Sequence, residues 1–427
     1  MGFMGMEYQH LIMILIALFL AFLAIYKKFE PLLLLPLSMG IFIANIPAAG
    51  LSAYNIIYQL AEGTLANGTI IPAGTLYDAG KELITMMDGT EIAGVKLAAV
   101  NLSGAITQRF GLMQFLYQGI FKVIYPPLIF LCIGTMTDFG PLIANPKTAI
   151  IGLGGQLGIF VAMVVSFYLS KWLAPILPGF TAFTWTESGA IGIIGSSDGP
   201  TSIYTATRLA PELLPSIAIA AFSYMALVPF IQPPIMRMLT TKKERVIVMP
   251  EPKQVTQKQK IIFPIAMILV TLLIFPAASA LIAMLMIGNL IRESGVTNRF
   301  VPTFQTELLN ILTFLVGLSI GSSATADRFL TPQTLIILFS GLLAFAFGTI
   351  GGVLTAKLLC KITGGKINPL IGNSGVSAMP MAARISQRMG QKYNPQNHLL
   401  MHAMGPIVSS TIGSAMVAGV LISICSR

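Results

Sequence analysis

The chain has 427 residues, of which 55% are hydrophobic and only 10% are charged. Soluble domains carry about 25% charged residues, so this composition excludes a soluble enzyme and indicates a polytopic membrane protein. The net charge of +10 could suggest a nucleic-acid partner. Basic loops at cytoplasmic helix ends explain it better, so we expect no nucleic acid. We predict a multi-pass protein of a bacterial or archaeal plasma membrane, in contact with lipid.

The chain divides into five regions by hydrophobicity. Residues 1–47 hold two apolar N-terminal helices, the second too short to cross a bilayer alone, because a crossing needs about 20 apolar residues. Residues 48–110 have mixed composition with Asn-Gly and Asp-Gly turns, which predicts an extramembrane insert. Apolar segments return in 111–238, the first membrane half. Lysine and arginine crowd 239–260, which predicts a cytoplasmic linker, and 261–427 is the second membrane half.

Each membrane half contains one apolar segment that is interrupted by polar residues, glycine and proline, at 186–209 and at 368–388. Such breaks release backbone groups that hydrocarbon cannot satisfy, so they must line a cavity or pack inside protein. Paired breaks in corresponding halves are typical of transporters built from inverted repeats. We therefore predict an all-α membrane protein with about nine to eleven transmembrane helices, two broken or re-entrant elements, inverted repeats and an elevator-like transporter architecture.

A glycine-rich run, Gly152-Leu-Gly-Gly-Gln-Leu-Gly158, superficially resembles a dinucleotide-binding fingerprint. It lies within an apolar segment and does not follow a strand. Close packing of neighbouring helices explains it better than a nucleotide site does.

Asp198 is the main candidate functional residue, because it stands inside the first break. A charged side chain at the bilayer centre costs about 2.5–3.5 kcal/mol on insertion scales, so such residues usually serve an ion or proton path. A structural role is also compatible, since Asp198 followed by Gly199 and Pro200 fits a helix N-cap. The two roles are compatible, and the cost of a charge in mid-membrane favours the functional one.

Oxygen-bearing groups around the two breaks could bind Na⁺, a hard cation that prefers oxygen ligands. The candidate ligands are Asp198, Ser197, Thr201, Asn368, Asn373, Ser377 and backbone carbonyls freed at the breaks, such as that of Gly372.

Two further residues could carry chemistry, each with a structural alternative. Tyr224 lies in the middle of an apolar segment and is either a core tyrosine with a satisfied hydroxyl or a functional group. Arg384 follows the second break and is either a snorkelling arginine or a fork that binds a carboxylate.

The chain closely resembles the β subunits of the sodium-translocating biotin-dependent decarboxylases, which act on oxaloacetate, methylmalonyl-CoA, glutaconyl-CoA or malonate. The match runs almost end to end and covers the insert poorly. Its motifs include Ser197-Asp-Gly-Pro-Thr201, Tyr224-Met-Ala-Leu-Val-Pro229, Asn368-Pro-Leu-Ile-Gly372, Gly375-Val-Ser377, Met381-Ala-Ala-Arg384 and His402-Ala-Met-Gly-Pro406.

The resemblance implies a carboxybiotin decarboxylase, in which CO2 release from a biotin carried by another subunit drives Na⁺ export and consumes a proton. It places Asp198, Asn368 and Ser377 in cation binding, and Asp198 and Tyr224 in proton delivery. Arg384, together with Ser377, would face the carboxybiotin. The implied partners are a carboxyltransferase subunit, a biotin carrier protein and a small membrane-anchoring subunit, in an assembly that is a homo-oligomer of this chain.

Two positions depart from the family pattern. Ser196 and Ser197 replace the usual Gly-Ala before the Asp-Gly-Pro-Thr motif, and Ile407 replaces the asparagine that usually follows the late Gly-Pro. The change to Ile407 removes one side-chain oxygen expected near the cation, and Asn373 is a candidate replacement.

A second hypothesis follows from the residues alone. A Na⁺-coupled secondary transporter of an organic anion would use the same breaks, with Asp198 for the ion and Arg384 for the anion, and would break no bond.

Overall fold

The computed structural model describes residues 6–28, 30–47, 51–52, 111–177, 180–251, 254–379 and 381–425, together with eight short strands of the insert. The α-helices are α1 (Tyr8–Ile25), α2 (Pro31–Ala44), α3 (Leu112–Phe121), α4 (Tyr125–Met136), α5 (Gly140–Ala144), α6 (Ala149–Gly155), α7 (Leu157–Leu173), α8 (Trp185–Gly192), α9 (Gly199–Leu209), α10 (Leu214–Leu239), α11 (Lys242–Arg245), α12 (Gln257–Ile274), α13 (Ser279–Ser294), α14 (Phe300–Thr303), α15 (Leu309–Ser323), α16 (Ala326–Phe329), α17 (Pro332–Ile362), α18 (Met381–Tyr393) and α19 (Leu400–Cys425).

Short 3-10 turns join several of these helices, and one π-helical turn, Phe304–Leu308, precedes α15. Two of the 3-10 elements fall in the predicted breaks, at Ile193–Ser196 and Pro369–Gly375. Pro380, within the second predicted break, lies outside the described residues.

The insert carries eight short strands in two antiparallel sheets, with strand orders β6-β5-β4-β1-β8 and β3-β2-β7. The strands are β1 (Ile57–Gln59), β2 (Gly63–Leu65), β3 (Ile70–Ile71), β4 (Leu76–Asp78), β5 (Leu83–Thr85), β6 (Glu91–Ile92), β7 (Val100–Leu102) and β8 (Thr107–Arg109). The remainder of 48–110, apart from Leu51 and Ser52, lies outside the described residues. The prediction of an all-α protein is confirmed for the membrane region, and the insert adds these strands to it.

The chain forms two compact units. The first comprises Met1–Lys122 and Phe314–Arg328. Within it α2 packs closely on the second half of α15: a Cβ added at Gly40 would lie 2.5 Å from the Leu318 carbonyl oxygen. The Asn45 side chain then donates to the carbonyl of Ala324 at 2.8 Å. This contact explains how α2, which has only 14 residues and was predicted to be too short to cross a bilayer alone, is accommodated.

The second unit comprises Val123–Thr313 and Phe329–Arg427. Its longest helix is α17, with 31 residues. Glycine allows close approach here: a Cβ at Gly158 of α7 would lie 2.3 Å from the Ala344 carbonyl oxygen of α17, and one at Gly154 would lie 2.1 Å from the Thr355 hydroxyl. The glycine-rich run therefore serves close helix packing, as predicted.

Helix α10 bends by 62° between Met225 and Leu227. Pro229 explains the bend, because a proline ring clashes with the carbonyl of the residue four positions earlier and removes one hydrogen bond.

Seven helices among the described residues are long and apolar enough to cross a membrane, or up to nine if two bent pairs, α3 with α4 and the two parts of α10, each count as one span. The upper figure meets the lower end of the predicted range. The difference arises because α2 and the two broken segments are too short to count as spans. Membrane insertion is confirmed, whereas the inverted repeats, the elevator-like architecture and the domain boundaries stay predictions.

Candidate ion-binding site

The two predicted breaks meet inside the second unit. The backbone N–H of Ser377 donates to the carbonyl of Ser196 at 2.9 Å, which joins one break to the other directly. Helix α6 supports the junction, because Gly155 lies so close to the second break that an added Cβ would be 1.7 Å from the Gly375 carbonyl oxygen. Backbone groups released by the breaks are thus held by protein, as a broken segment in a membrane requires.

Asp198 begins α9 as its N-cap and is only 5% exposed. One carboxylate oxygen accepts the Thr201 hydroxyl at 2.7 Å, and the other accepts the Thr201 backbone N–H at 3.4 Å. Gly199 and Pro200 form the first turn, which fits the cap predicted from the sequence. No basic side chain pairs with this carboxylate among the described residues, so its negative charge is compensated by hydroxyl and backbone donors alone.

One face of α19 connects the two breaks through serine hydroxyls. Ser414 Oγ lies 3.1 Å from the Asp198 carboxylate and 2.9 Å from the Thr411 carbonyl. Ser410, one helical turn earlier, accepts a hydrogen bond from Ser377 Oγ at 3.0 Å. Residues four apart share a helix face, so α19 aligns the Asp198 and Ser377 groups along one line.

Two buried oxygen atoms beside this line have no hydrogen-bond partner in the described structure: Ser197 Oγ and Gln156 Oε1. Ser197 has a left-handed backbone, φ 57°, which is uncommon for a residue other than glycine. The Gln156 amide nitrogen donates to Ser410 Oγ at 3.1 Å, so its free oxygen lies within the same serine group. Buried oxygens without partners are costly unless a ligand or water satisfies them. They suit a hard cation.

Asn368 and Asn373 are engaged elsewhere in the second break. The Asn368 amide donates to the carbonyls of Arg245 and Ile247, at 3.1 and 2.8 Å, and so holds the basic linker. The Asn373 amide donates to Gln232 Oε1 and to the Ala382 carbonyl, each at 2.9 Å. Both asparagines therefore brace the break from within.

The carbonyl of Gly372 faces α17, where a Cβ at Gly352 would lie 2.2 Å from its oxygen.

Ile407 is fully buried in an apolar cluster. This position accordingly packs the core and offers no ligand oxygen.

Tyr224 lies on α10 beside the first break. Its ring is close to Gly341 of α17 and to Ile194: a Cβ at Gly341 would lie 2.5 Å from the ring and 3.1 Å from Ile194. The hydroxyl donates to the carbonyl of Leu338 and not to Asp198. The structure thus brings Tyr224 next to the break, and its hydroxyl donates a hydrogen bond to a backbone carbonyl of α17.

Arg384 lies in the first turn of α18, on the exposed side of that helix. It makes no hydrogen bond or ion pair with the described residues. Its guanidinium is available to an anion from outside, in contrast to Arg245, which is buried and bonded to Thr240 and Tyr393.

Sequence reasoning missed three residues of the site: Gln156, Ser410 and Ser414. A signal for the serines exists, since the run from Ser409 to Ser414 is unusually polar for an apolar helix. Gln156 was hidden within a glycine-rich run that we interpreted only as a packing motif.

The family model of the Na⁺-transporting oxaloacetate decarboxylase β subunit matches residues 9–425. The chain is 46% identical, over 99% of its length and 96% of the relative's, to oxaloacetate decarboxylase β chain 2 of Salmonella typhi. It is 45% identical, with the same coverage, to methylmalonyl-CoA decarboxylase subunit β of Propionigenium modestum.

These matches extend over nearly the whole chain, and the relatives are named as decarboxylase chains of multi-subunit enzymes. The first of the two functional hypotheses is therefore favoured over a secondary transporter, and the resemblance noted from the motifs is confirmed. The chain belongs to the family of Na⁺-transporting oxaloacetate decarboxylase β subunits, multi-pass membrane subunits of decarboxylase complexes that pump Na⁺.

Proposed function

We propose that this subunit decarboxylates carboxybiotin and couples the reaction to Na⁺ export. The observation that carries the proposal is the junction of the two breaks around Asp198. A buried carboxylate without a basic partner, 3.1 Å from Ser414 Oγ, can take either a proton or a cation. One group that binds both in turn exchanges Na⁺ for H⁺ without ATP.

The Na⁺ ligands come from the breaks and from α19. Asp198, Thr201 and Ser414 form one oxygen group through their mutual hydrogen bonds. Ser377 forms another with Ser410, and Ser197 adds a buried hydroxyl oxygen that has no hydrogen-bond partner among the described residues. Asn368 and Asn373 join the cation set only if the second break rearranges, because the Asn368 amide oxygen accepts the Leu370 backbone N–H at 2.9 Å and the Asn373 amide oxygen accepts the Ser386 hydroxyl at 2.5 Å. The Gly372 carbonyl would also have to turn, because it packs against α17 at Gly352.

The chemistry requires a proton at the site of carbon loss. When CO2 leaves, the N–C bond breaks, its electron pair stays on the ureido nitrogen, and that nitrogen takes up one proton. A donor positioned there lowers the barrier. We assign proton delivery to Asp198 and Tyr224; the Tyr224 hydroxyl keeps its proton and donates a hydrogen bond to the Leu338 carbonyl in this conformation. Arg384, with Ser377, binds the carboxylate of carboxybiotin before this step.

Partner subunits supply the substrate. The relatives include both oxaloacetate and methylmalonyl-CoA enzymes at nearly equal identity, so the acid is chosen outside this chain. We propose that a carboxyltransferase loads the biotin, a biotin carrier protein delivers it to the cytoplasmic side, a small membrane-anchoring subunit holds the complex, and the β chains form a homo-oligomer.

The test uses proteoliposomes that contain the assembled complex and a carboxylated biotin carrier. CO2 release should accelerate when Na⁺ is added, and ²²Na⁺ should accumulate in parallel. If CO2 release is indifferent to Na⁺ and Li⁺ while a labelled dicarboxylate accumulates, the secondary-transporter hypothesis is correct and this proposal is wrong.

A further inference from the structure

A basic pocket of about 490 Å³ opens at the linker end of the second unit. Its cationic groups are Lys147, before α6, and Lys366, after α17, with the half-buried His402 of α19 beside them. Glu251 is the one acidic residue that lines it, so positive charge dominates. Met249 and Glu251 come from the predicted cytoplasmic linker, which puts this pocket on the side where anionic lipids concentrate.

A second pocket of about 430 Å³ has an apolar lining. It runs along α6, α12 and α19, and its lining includes Leu142, Leu153, Phe263, Met267, Ile412 and Met416. The one polar side chain in the lining is Ser409, whose hydroxyl already donates to the Ala149 carbonyl at 2.9 Å. Helix α12 is exposed along most of its length, since only 11% of its apolar window is buried. This groove therefore faces the lipid phase.

The two pockets are adjacent. Pro146 lines both of them, and α5 contributes Pro141 and Ala144 to the basic pocket but Leu142 and Ile143 to the apolar one. The segment from α5 to Pro146 thus lies between a cationic chamber, lined by linker residues, and an apolar groove, lined by helices that are long and apolar enough to cross a membrane. That sequence of environments matches an amphiphile with an anionic head.

We propose that this double pocket binds an anionic phospholipid, with its phosphate at Lys147 and Lys366 and one acyl chain in the groove. A soluble anion would use only the first chamber and would leave the apolar groove unexplained. The groove also touches Ser409, Ile412 and Gly413, on the α19 segment whose other side carries Ser410 and Ser414. A bound lipid would therefore support the helix that aligns the candidate ion site.

The experiment compares lipid binding by three forms of the assembled complex. The first is wild type, the second is Lys147→Gln with Lys366→Gln, and the control is Lys242→Gln with Lys243→Gln. The control removes the same charge from exposed linker positions outside the pocket. Each form is titrated with phosphatidylglycerol in phosphatidylcholine nanodiscs, and bound lipid is counted by native mass spectrometry.

We expect the pocket variant to bind phosphatidylglycerol about 30-fold more weakly, roughly five-fold for each lysine, and the control to bind as wild type does. Leu153→Trp, at an exposed position of the groove, should lower binding without changing any charge.

Three outcomes would overturn the proposal. The first is an equal loss of phosphatidylglycerol binding in the pocket variant and in the control. That result would mean that the lysines attract anionic lipid through the general charge of the surface. Another is displacement of the lipid by glycerol phosphate or inorganic phosphate at equal concentration, which would make the pocket a soluble-anion site. The third is unchanged lipid binding by the pocket variant together with a raised KM for the carboxylated carrier. That result would mean that the pocket binds the substrate. None of these results bears on the Na⁺ dependence of decarboxylation, so the proposed function is tested separately.

Discussion

The contact between Gly155 and the second break offers a sharp test of the site. Gly155→Ala adds one methyl group where an ideal Cβ would lie 1.7 Å from the Gly375 carbonyl oxygen. Ordinary contacts begin near 3.4 Å, so α6 and the break would have to separate by about 1.7 Å. The same break donates the Ser377 N–H to the Ser196 carbonyl at 2.9 Å, so a movement of the break by this distance would break the bond that joins the two breaks.

We expect Gly155→Ala to lower activity in a complex that still folds. Overpacking a core by one methyl group costs about 1–3 kcal/mol, which the complex should tolerate. A displacement of catalytic groups by about 1 Å can lower a rate 100-fold. We therefore expect Na⁺-dependent CO2 release by the folded complex to fall by about 100-fold.

The assay measures CO2 release in proteoliposomes, normalised to the amount of folded complex. Gly189→Ala is the matched control, because Gly189 is also a buried helical glycine but an added Cβ would meet its nearest atom at an ordinary 3.5 Å. Full Na⁺-dependent activity in Gly155→Ala would refute the view that the junction of the two breaks forms the site.

Three further substitutions probe individual groups. Ser414→Ala removes the hydroxyl 3.1 Å from Asp198 and should raise the Na⁺ concentration for half-maximal activity about ten-fold, measured by CO2 release. Arg384→Gln should raise the KM for the carboxylated carrier about ten-fold and leave the thermal unfolding midpoint unchanged, because this side chain is exposed. Burial would raise the pKa of Glu244, but hydrogen bonds from the Thr241 N–H and hydroxyl, and the charge of Lys357 at 3.5 Å, outweigh it and lower the pKa below its ordinary 4.5. Its contribution to stability is therefore present above pH 4.5 and is lost as the pH falls through the lower folded-state pKa, so Glu244→Gln should flatten the acid side of the stability profile.

Each substitution has a control or a contradicting result. Ser423→Ala removes a hydroxyl that bonds only within α19, to the Gly419 carbonyl, and should leave the Na⁺ response unchanged. Arg388→Gln removes an equally exposed arginine from α18, one turn away. An equal rise in KM in both arginine variants would assign the effect to net charge. Identical acid profiles for wild type and Glu244→Gln would remove that residue from the account of stability.

The two breaks could be predicted because the penalty for polar groups in lipid is large and local. The motif Asp198-Gly199-Pro200 predicts both the start of a helix and a buried charge, and the structure has both. The glycine-rich run was likewise predictable, since glycine in an apolar helix indicates close backbone approach. Which backbone approaches was not predictable: the partner of Gly155 is the second break itself.

The side chains that complete the site depend on how α19 is rotated, and a single sequence does not determine the rotation of one helix against another. Ser414 and Ser410 face the breaks only because of that rotation. Asn368 shows that residue type alone does not predict which groups a side chain will bond to. Its amide oxygen was a candidate ligand by residue type, but that oxygen accepts the Leu370 backbone N–H at 2.9 Å, while the amide nitrogen donates to the carbonyls of Arg245 and Ile247.

The central claim is that Asp198 exchanges Na⁺ for a proton while carboxybiotin loses CO2. It is tested most directly by measuring ²²Na⁺ accumulation and CO2 release together in proteoliposomes that contain the complex, with wild type and Asp198→Asn. Asparagine keeps the shape and can still accept the Thr201 hydroxyl, but it carries no charge to neutralise a cation. We predict Na⁺-dependent CO2 release with ²²Na⁺ accumulation in wild type, and neither in Asp198→Asn. Accumulation of ²²Na⁺ at the wild-type rate in Asp198→Asn would contradict the account.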